Sequence, residues 1–351
     1  MKFIHIADVH LGAGPDAGSS YTKKRARELW DSFERLIRVC EEEKTDLLLI
    51  AGDLFHRQPL LRELREVDYL FSSLTHTKVV FIVGNHDYLK DSSYYRTFKW
   101  SSQVYPLLSQ TLETVEFEDL GVCVYGLSYA QREIKESLYD YAWPEKRQPA
   151  EILLAHGGDE KHIPINKKQL SRLGYDYIAM GHIHLPMEIE KNRIYYAGAL
   201  EPTDKNDVGP HGYIRGDITD GRCKVQFVPF AVREYVHMKI AVEKGMAERA
   251  VRECIAKEIQ RRGTKNIYKI ILTGFRDTDM VYDFSGMDVY GNVLEFIDET
   301  KPAYDFEKLR RQNEDNLLGK YIERLKDSPE GSVEYMALFE GVRALLETKR
   351  G

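Results

Sequence analysis

Aspartate, asparagine and histidine residues stand directly behind apolar runs at five places in the chain. In chain order they are Asp8 and His10, then Asp53, then Asn85, His86 and Asp87, then His156, and finally His182 and His184. Carboxylate, amide and imidazole groups bind divalent metal ions in proteins. A lone histidine is more often structural, and Gly-Asn-His-Asp is also an ordinary start of a turn. Five such placements together favour one shared metal site.

The spacing of these residues supports convergence on one site. In Asp8-Val9-His10 and in His182-Ile183-His184, side chains two residues apart in extended chain project to the same side. Each pair can therefore bind an ion from one edge. Glycines at positions 52, 84, 157, 158 and 181 let the backbone turn sharply and come close to a ligand.

The apolar runs predict the β-strands that position these groups. They are KFIHIAD (2–8), DLLLIAGD (46–53), KVVFIVGN (78–85), GVCVYGL (121–127), EILLAHG (151–157), YDYIAMGH (175–182), RIYYAG (193–198), GYIRGDI (212–218) and CKVQFVPF (223–230). Apolar residues at helical spacing, such as Leu29, Phe33 and Leu36, indicate crossover helices and βαβ units. Functional groups of open α/β sheets gather beyond the carboxyl ends of the strands, where we expect the polar residues to meet.

The pattern divides the chain into three parts. Residues 1–232 predict one layered α/β domain, with more strands than a single small sheet needs. Residues 233–300 predict a small α+β module with a long helix, and residues 301–351 predict a tail of two amphipathic helices joined by DSPEG (327–331).

The composition, 43% apolar and 30% charged over 351 residues, is that of a soluble globular protein. No apolar run approaches the roughly 20 residues of a membrane span, and the segment before Asp8 is too short for a signal-peptide core. We therefore expect a cytoplasmic protein with no membrane partner. The four cysteines are scattered without a CxxC pair and are expected to be reduced.

The net charge of −6 weighs mildly against nucleic-acid binding, whose affinity comes largely from phosphate neutralisation. Local basic stretches exist, although each on its own is more simply a solvated surface. The stretch in the small module contains Arg261, Arg262, Lys265 and Lys269. These four residues form a candidate phosphate-contacting edge.

Taken in order, the motifs resemble a known signature. Asp8-x-His10, Gly52-Asp53, Gly84-Asn85-His86-Asp87, His156 and Gly181-His182-x-His184 resemble the calcineurin-like metallophosphoesterases. The strings ADVHLG, AGDLFH, VGNHD and MGHIHLP are similar to the SbcD family of DNA double-strand-break repair exonucleases, with the bacterial YhaO group as a branch. The resemblance implies a layered β-sandwich flanked by helices, a small α+β module that caps DNA and a C-terminal helical tail.

Carried over position by position, the resemblance implies two divalent metal ions. The first would be bound by Asp8, His10, Asp53 and His184, and the second by Asp53, Asn85, His156 and His182, with Asp53 as the bridge. Imidazole and oxygen ligands without a thiolate suit Mn²⁺, Fe²⁺ or Zn²⁺ better than Mg²⁺, and the family favours Mn²⁺. With only two carboxylates in the set, the loaded site keeps a net positive charge for a phosphodiester.

The implied reaction is hydrolysis, in which water attacks phosphorus in line and the leaving sugar oxygen needs a proton. His86 matches the family's catalytic histidine in position and is the candidate for that role. His56 is a candidate helper, with a surface histidine at a helix start as the alternative. Asp87 is expected to orient His86 or to cap the following turn.

The resemblance also implies partners: DNA, a second copy of the chain and an SbcC-type, SMC-like ATPase docked on the helical tail. The chain has no G-x-x-x-x-G-K-[ST] motif of its own. The region around Tyr94, Tyr95 and Trp100 is a candidate dimer contact, and the tail helices could instead pack back on the main domain. Two alternatives remain for function, a small-molecule phosphodiesterase or phosphatase and a regulatory subunit of a nuclease complex.

Overall fold

A computed structural model describes residues 1–16, 22–329 and 331–348. The chain divides into two compact units, Met1–Val236 with Lys265–Ile267, and His237–Thr264 with Tyr268–Gly351. The second unit contains most of the predicted small module together with the predicted tail.

The elements of the first unit are, in chain order, β1 (Lys2–Ile6), α1 (Thr22–Glu42), β2 (Leu47–Ala51), α2 (Leu61–Ser72), β3 (Lys78–Ile82), β4 (Val104–Leu107), β5 (Glu113–Phe117), β6 (Val122–Gly126), β7 (Ala150–His156), α3 (Lys167–Arg172), β8 (Tyr177–Gly181), β9 (Met187–Glu190), β10 (Ile194–Tyr196), β11 (Gly212–Thr219) and β12 (Arg222–Pro229). The sequence patterns missed β4, β5 and β9. These strands are short and only partly buried, so they lack a continuous apolar run.

Two six-stranded sheets form this unit, with strand orders β12-β11-β1-β2-β3-β4 and β5-β6-β7-β8-β10-β9. Strands β1 to β4 run parallel in the first sheet, as do β6, β7, β8 and β10 in the second. An isolated parallel bridge between Ala7 and Ala199 joins the ends of β1 and β10. The carboxyl ends of β1 and of the second sheet therefore lie side by side.

Alternate residues of the central strands pack into different layers. Leu47 of β2 and Ile152 of β7 lie in the core between the sheets. Leu48 belongs to an outer core with Phe33 and Leu36 of α1. Strand β2 is apolar at every position because both of its faces are buried. The predicted layered β-sandwich flanked by helices is confirmed.

The remaining elements are β13 (Tyr235–Val242), α4 (Glu248–Arg262), β14 (Ile267–Arg276), β15 (Val293–Asp298), β16 (Lys301–Pro302), α5 (Phe306–Gln312), α6 (Leu317–Leu325) and α7 (Val333–Glu347). Strands β13, β14 and β15 form one sheet, and β16 pairs with β14. No helix within the described residues is long and apolar enough to cross a membrane.

The tail has three helices in its described part where the pattern predicted two. The first predicted helix breaks because the side chain of Asn316 accepts a hydrogen bond from the Leu318 amide at 2.9 Å and starts α6 anew. Leu318, Ile322, Leu338 and Val342 form a small core of their own between α6 and α7.

The interpretation of Tyr94, Tyr95 and Trp100 as one contact surface was wrong for Tyr95. That side chain is buried, and its hydroxyl donates to Asp87 Oδ2 at 2.9 Å. Trp100 is partly buried against the outer core, where its ring meets Phe81 edge-on with centroids 5.2 Å apart. Tyr94 alone of the three is exposed.

A buried group of charges ties α1 to the segments that follow β10 and β12. The Arg25 guanidinium donates to Glu28 Oε2 at 2.6 Å and lies 3.4 Å from Glu201 Oε2. Arg233 donates to Glu28 Oε1 at 2.8 Å, and Ser32 donates to Glu201 Oε1 at 2.6 Å. Since a buried charge is tolerated only with close partners, each member depends on the others.

We expect Arg25→Met to lower the free energy of unfolding of the first unit by about 3–5 kcal/mol, because it leaves Glu28 and Glu201 short of a buried partner. The matched control is Arg27→Met on the same helix, whose pair with Asp31 is exposed and should cost less than about 1 kcal/mol. Urea unfolding followed by tryptophan fluorescence measures both, since all three tryptophans, Trp30, Trp100 and Trp143, lie in the first unit. Equal losses in the two variants would contradict the buried-pair argument.

Candidate metal centre

The predicted site residues follow five parallel strands of the two sheets. Asp8 and His10 follow β1, Asp53 follows β2, and Asn85 follows β3. His156 is the last residue of β7, and His182 directly follows β8. Strand β8 and the short loop after it therefore bring His182 and His184 to the same edge as the three loops of the first sheet.

Four of these residues have backbone angles that residues other than glycine rarely adopt. The φ angle is 50° at Asp8, 51° at His10, 50° at Asp53 and 94° at His182. Such positive φ values in residues other than glycine cost of order 1 kcal/mol or more each and concentrate at functional sites. The Asp53 carbonyl accepts the His10 amide at 3.1 Å, so the loops after β1 and β2 support each other in these conformations.

The first predicted ligand set is assembled. Donor atoms of Asp8, His10 and His184 all lie within 4.8 Å of one another. The Nε2 atoms of His10 and His184 are 3.1 Å apart, and His10 Nε2 is 3.9 Å from Asp53 Oδ2. Asp8 and His10 are fully buried, so their donor atoms are shielded from competing water.

The second predicted set is also assembled, with Asn85 at its middle. Asn85 Oδ1 lies 3.0 Å from His156 Nε2 and 3.1 Å from His182 Nδ1. His156 Nε2 is 3.4 Å from Asp53 Oδ2. The amide oxygen thus faces the same space as two imidazole nitrogens, as a ligand must.

Asp53 lies between the two sets. Its Oδ2 is the atom near both His10 and His156, while its Oδ1 accepts the His86 amide at 2.9 Å. Burial by itself would raise the pKa of Asp53, but the positive fields of His156 and His10 lower it below the usual range. The carboxylate therefore stays ionised and is placed to bridge two cations.

The outer nitrogen of His156 supports a metal-binding role. His156 Nδ1 lies 2.8 Å from the Ala51 carbonyl, which can only accept, so Nδ1 carries a proton and Nε2 is the nitrogen that faces Asp53 and Asn85. Ligating histidines commonly have such an anchor on the far nitrogen. Burial acts to lower the pKa of His156, but the Asp53 carboxylate raises it to about 9. In the metal-free chain the His156 ring thus balances the negative charge of the buried Asp53 carboxylate. Bound divalent ions would provide the same balance.

Two of the glycines are required by close approach. A Cβ at Gly84 would lie 2.2 Å from Asp53 Oδ1, and a Cβ at Gly181 would lie 2.1 Å from the Ala51 carbonyl oxygen. No side chain fits at these distances. The glycines next to the ligands therefore let the ligand-bearing loops meet.

The predicted catalytic histidines stand beside the first set. The rings of His10 and His86 have centroids 4.8 Å apart, and those of His56 and His86 are 4.9 Å apart. His86 Nδ1 lies 3.1 Å from the His56 carbonyl oxygen, which anchors the ring. His56 is exposed, and its Nδ1 lies 3.4 Å from His10 Nδ1.

Asp87 is fully buried and connects the loops after β2 and β3. Its carboxylate accepts the amides of Phe55 at 3.1 Å and Gly84 at 3.0 Å and the Tyr95 hydroxyl. Burial and the nearby Asp53 charge raise its pKa to about 7. Asp87 thus holds the loop that carries Asn85 and His86, whereas the His86 ring itself is held by His56.

The candidate DNA-contacting residues are spread over both units. Arg261 and Arg262, at the end of α4, both pair with Glu258. Lys269 Nζ lies 3.5 Å from Glu295 Oε2. Lys265 is exposed and belongs to the first unit. Glutamates therefore offset part of the positive charge of Arg261, Arg262 and Lys269.

Sequence reasoning missed two carboxylates of the site, Asp159 and Asp207. Asp159 Oδ2 lies 2.8 Å from His182 Nε2, and Asp207 Oδ2 lies 3.1 Å from His184 Nδ1. The signal for Asp159 was its position three residues after His156 in HGGD. Asp207 had no local signal, because it lies in a loop far from any motif.

We expect Asn85→Ala and His86→Ala to separate metal binding from chemistry. Asn85→Ala removes an oxygen between His156 and His182 and should weaken one ion at least about tenfold. His86→Ala removes a ring that lies beside the ligands and should keep two ions per chain. Elemental analysis after dialysis against limiting Mn²⁺ measures both, and loss of an ion from the His86 variant would overturn the assignment.

Comparison with known proteins finds related chains. The chain is 27% identical over 248 residues to the uncharacterized metallophosphoesterase YhaO of Bacillus subtilis (strain 168), which covers 65% of this chain and 60% of YhaO. It is 26% identical over 269 residues to the DNA double-strand break repair protein Mre11 of Methanocaldococcus jannaschii, which covers 71% of this chain and 72% of Mre11. The chain thus spans only part of each relative.

The family assignment rests on a match to the family model, which contains all five motifs. Residues 1–186, more than half of the chain, match the calcineurin-like phosphoesterases. Members of this family bind two divalent metal ions, in agreement with the two ligand sets that meet at Asp53. The chain therefore belongs to the calcineurin-like phosphoesterase family.

Proposed function

We propose that this phosphoesterase cleaves DNA, as an exonuclease with single-strand endonuclease activity, and is the nuclease subunit of a double-strand-break repair complex. The observation that carries the proposal is the arrangement at Asn85 and His86. The Asn85 amide oxygen lies between the His156 and His182 rings, where it would bind an ion, and the adjacent His86 has an anchored ring outside the ligand sets. Similarity to Mre11, whose name states DNA double-strand break repair, supports DNA as the substrate.

Two divalent ions, with Mn²⁺ as our choice, would supply the charge that neutralises phosphate oxygens and acidifies the attacking water. The residues of the chain supply the orientation. Asp53 and the buried Asp8 fix the negative side of the site, and the imidazoles of both sheets complete the shell. A phosphodiester therefore meets a rigid site with a net positive charge.

His86 is the proton donor in this proposal. Its Nδ1 is engaged with the His56 carbonyl, so Nε2 is the nitrogen available to the leaving sugar oxygen. The His56 ring lies on the same side, where it can contact a phosphate oxygen. The His86 backbone amide donates to Asp53 Oδ1. This hydrogen bond fixes the main chain of His86, the proposed proton donor, relative to Asp53.

One observation favours a second candidate function, hydrolysis of a small phosphodiester. Arg261 and Arg262 share Glu258, and Lys269 pairs with Glu295, so two glutamates offset part of the positive charge that would contact DNA. Exposed ion pairs are weak, however, and phosphates can displace the glutamates. We therefore keep DNA as the first proposal.

The helical tail is proposed to bind an SMC-like ATPase. Three apolar side chains of α6 and α7 are exposed, Leu317 at 69%, Val333 at 81% and Met336 at 51% of their surface. Apolar side chains on short helices favour a helical partner such as the base of a coiled coil. We also propose a homodimer, so that one complex contains two nuclease sites.

We expect the purified chain with Mn²⁺ to degrade end-labelled DNA and His86→Ala to reduce the rate by about 10²–10⁴-fold. The matched control is His76→Ala, because His76 is an exposed histidine of the first unit that pairs with Asp46 away from the ligand sets. Hydrolysis of bis-p-nitrophenyl phosphate is measured in parallel. A protein that cleaves this compound but leaves duplex and single-stranded DNA intact, with and without the ATPase, would favour the small-molecule alternative.

We expect Val333→Glu with Met336→Glu to weaken binding of the SMC-like ATPase by about tenfold or more, because a charge replaces apolar contact area. Val281→Glu is the control, since Val281 is 80% exposed in the same unit but outside the tail helices. Affinity measured by surface plasmon resonance decides the point. Unchanged binding would remove the docking role of α7.

A further inference from the structure

The two histidines of the His182-x-His184 motif are anchored through opposite ring nitrogens. Asp159 Oδ2 contacts Nε2 of His182 at 2.8 Å, whereas Asp207 Oδ2 contacts Nδ1 of His184 at 3.1 Å. A carboxylate only accepts, so the contacted nitrogen carries the proton in each ring. In the neutral ring that binds a metal ion, the lone pair is therefore on Nδ1 of His182 and on Nε2 of His184.

The two remaining lone pairs face different ligand sets. His182 Nδ1 is 3.1 Å from Asn85 Oδ1, and His184 Nε2 is 3.1 Å from His10 Nε2. If either proton moved to the other nitrogen of its ring, a donor would face an ion. The carboxylates thus select the tautomer that each set needs.

We propose that Asp159 positions His182 for the second ion and Asp207 positions His184 for the first, so that each carboxylate controls the affinity of one ion. The inference rests on the two-ion part of the proposed function, but it does not depend on DNA as the substrate. It assigns a role to two residues that lie outside the motifs.

The two carboxylates are held with different rigidity. Asp207 Oδ2 also accepts the amides of Thr203 at 2.9 Å and Asp204 at 3.0 Å, and its side chain is 13% exposed. Asp159 Oδ1 accepts the amides of Lys161 at 2.7 Å and His162 at 3.0 Å, but its side chain is 49% exposed. Water competes more with the contact between Asp159 and His182. Replacing Asp159 should therefore weaken ion binding less than replacing Asp207.

A third ion is a weaker explanation of the Asp159 contacts. Donor atoms of Asp159, His162 and His182 also lie within 4.8 Å of one another. An ion there would take His182 Nε2, while the second ion takes Nδ1, and the ring would have to lose both protons. The hydrogen bonds from His162 Nδ1 at 2.8 Å and from His182 account for the arrangement without it.

The test is calorimetric titration of metal-free protein with MnCl₂, in the absence of any substrate. Wild type should bind two ions. Asp159→Asn and Asp207→Asn should each weaken one ion by about 10–100-fold, with Asp207→Asn the larger effect, and leave the other unchanged. Glu160→Gln and Asp204→Asn, which remove a charge from the same two loops without touching either imidazole, should match wild type.

An Asn85→Ala background shows which ion each carboxylate controls. Asp159→Asn should then add little further loss, because both changes act on the second ion, whereas Asp207→Asn should weaken the remaining ion. Equal weakening of both ions by either aspartate variant, or wild-type affinities in both, would overturn the proposal. So would a lower melting temperature of the metal-free Asp159→Asn or Asp207→Asn protein that accounts for the loss. A wild type that binds two ions but cleaves no DNA would sink the nuclease function alone.

Discussion

The structure of the site depends on one carboxylate, Asp53, which is fully buried where the two sheets meet. One of its oxygens faces His10 from the first sheet and His156 from the second, and the other accepts the His86 amide. A buried carboxylate without compensating charge would cost several kcal/mol. The positions of the surrounding imidazoles, and of the loop with Asn85 and His86, follow from the need to surround this group.

The approach of the two sheets is the second requirement, and small residues meet it. The His156 ring reaches the Ala51 carbonyl across the sandwich, and Gly181 lies directly against the same carbonyl oxygen. Any side chain at position 181 would push the second sheet away and separate the two ligand sets. The packing of the two sheets and the geometry of the metal centre thus depend on the same contact. The approach of the Gly181 backbone to the Ala51 carbonyl sets the distance between the ligands of the two sheets.

The sequence predicted the strand ends well because local patterns carry that information. Strands buried on both faces, such as Leu47–Ala51, appear as continuous apolar runs, and polar residues follow them directly. Short edge strands such as Met187–Glu190 have no such run and were missed. The break at Asn316 within the tail was missed because apolar spacing continues across it, and only the cap shows the new helix.

Contacts between distant segments account for the rest of what the sequence did not reveal. The sequence around Tyr95 gives no sign that its hydroxyl donates a hydrogen bond to the buried Asp87, so Tyr95 was predicted to lie on the surface. Asp207 contacts His184 only after the chain has passed β9 and β10. Local spacing identifies ligands that follow strands. It cannot identify residues from distant segments that hydrogen-bond to the outer ring nitrogen of those ligands.

The left-handed backbone at Asp8, His10, Asp53 and His182 lowers the stability of the folded chain, which matters when no ions are bound in the cell. The fold maintains these conformations at a cost of order 1 kcal/mol each, whether or not ions are present. Ions that bind only the folded chain add about 2.7 kcal/mol of stability at a hundredfold excess over the dissociation constant. We therefore expect metal starvation to lower the amount of the protein as well as its activity, because loss of the ion-binding free energy raises the unfolded fraction that is exposed to degradation.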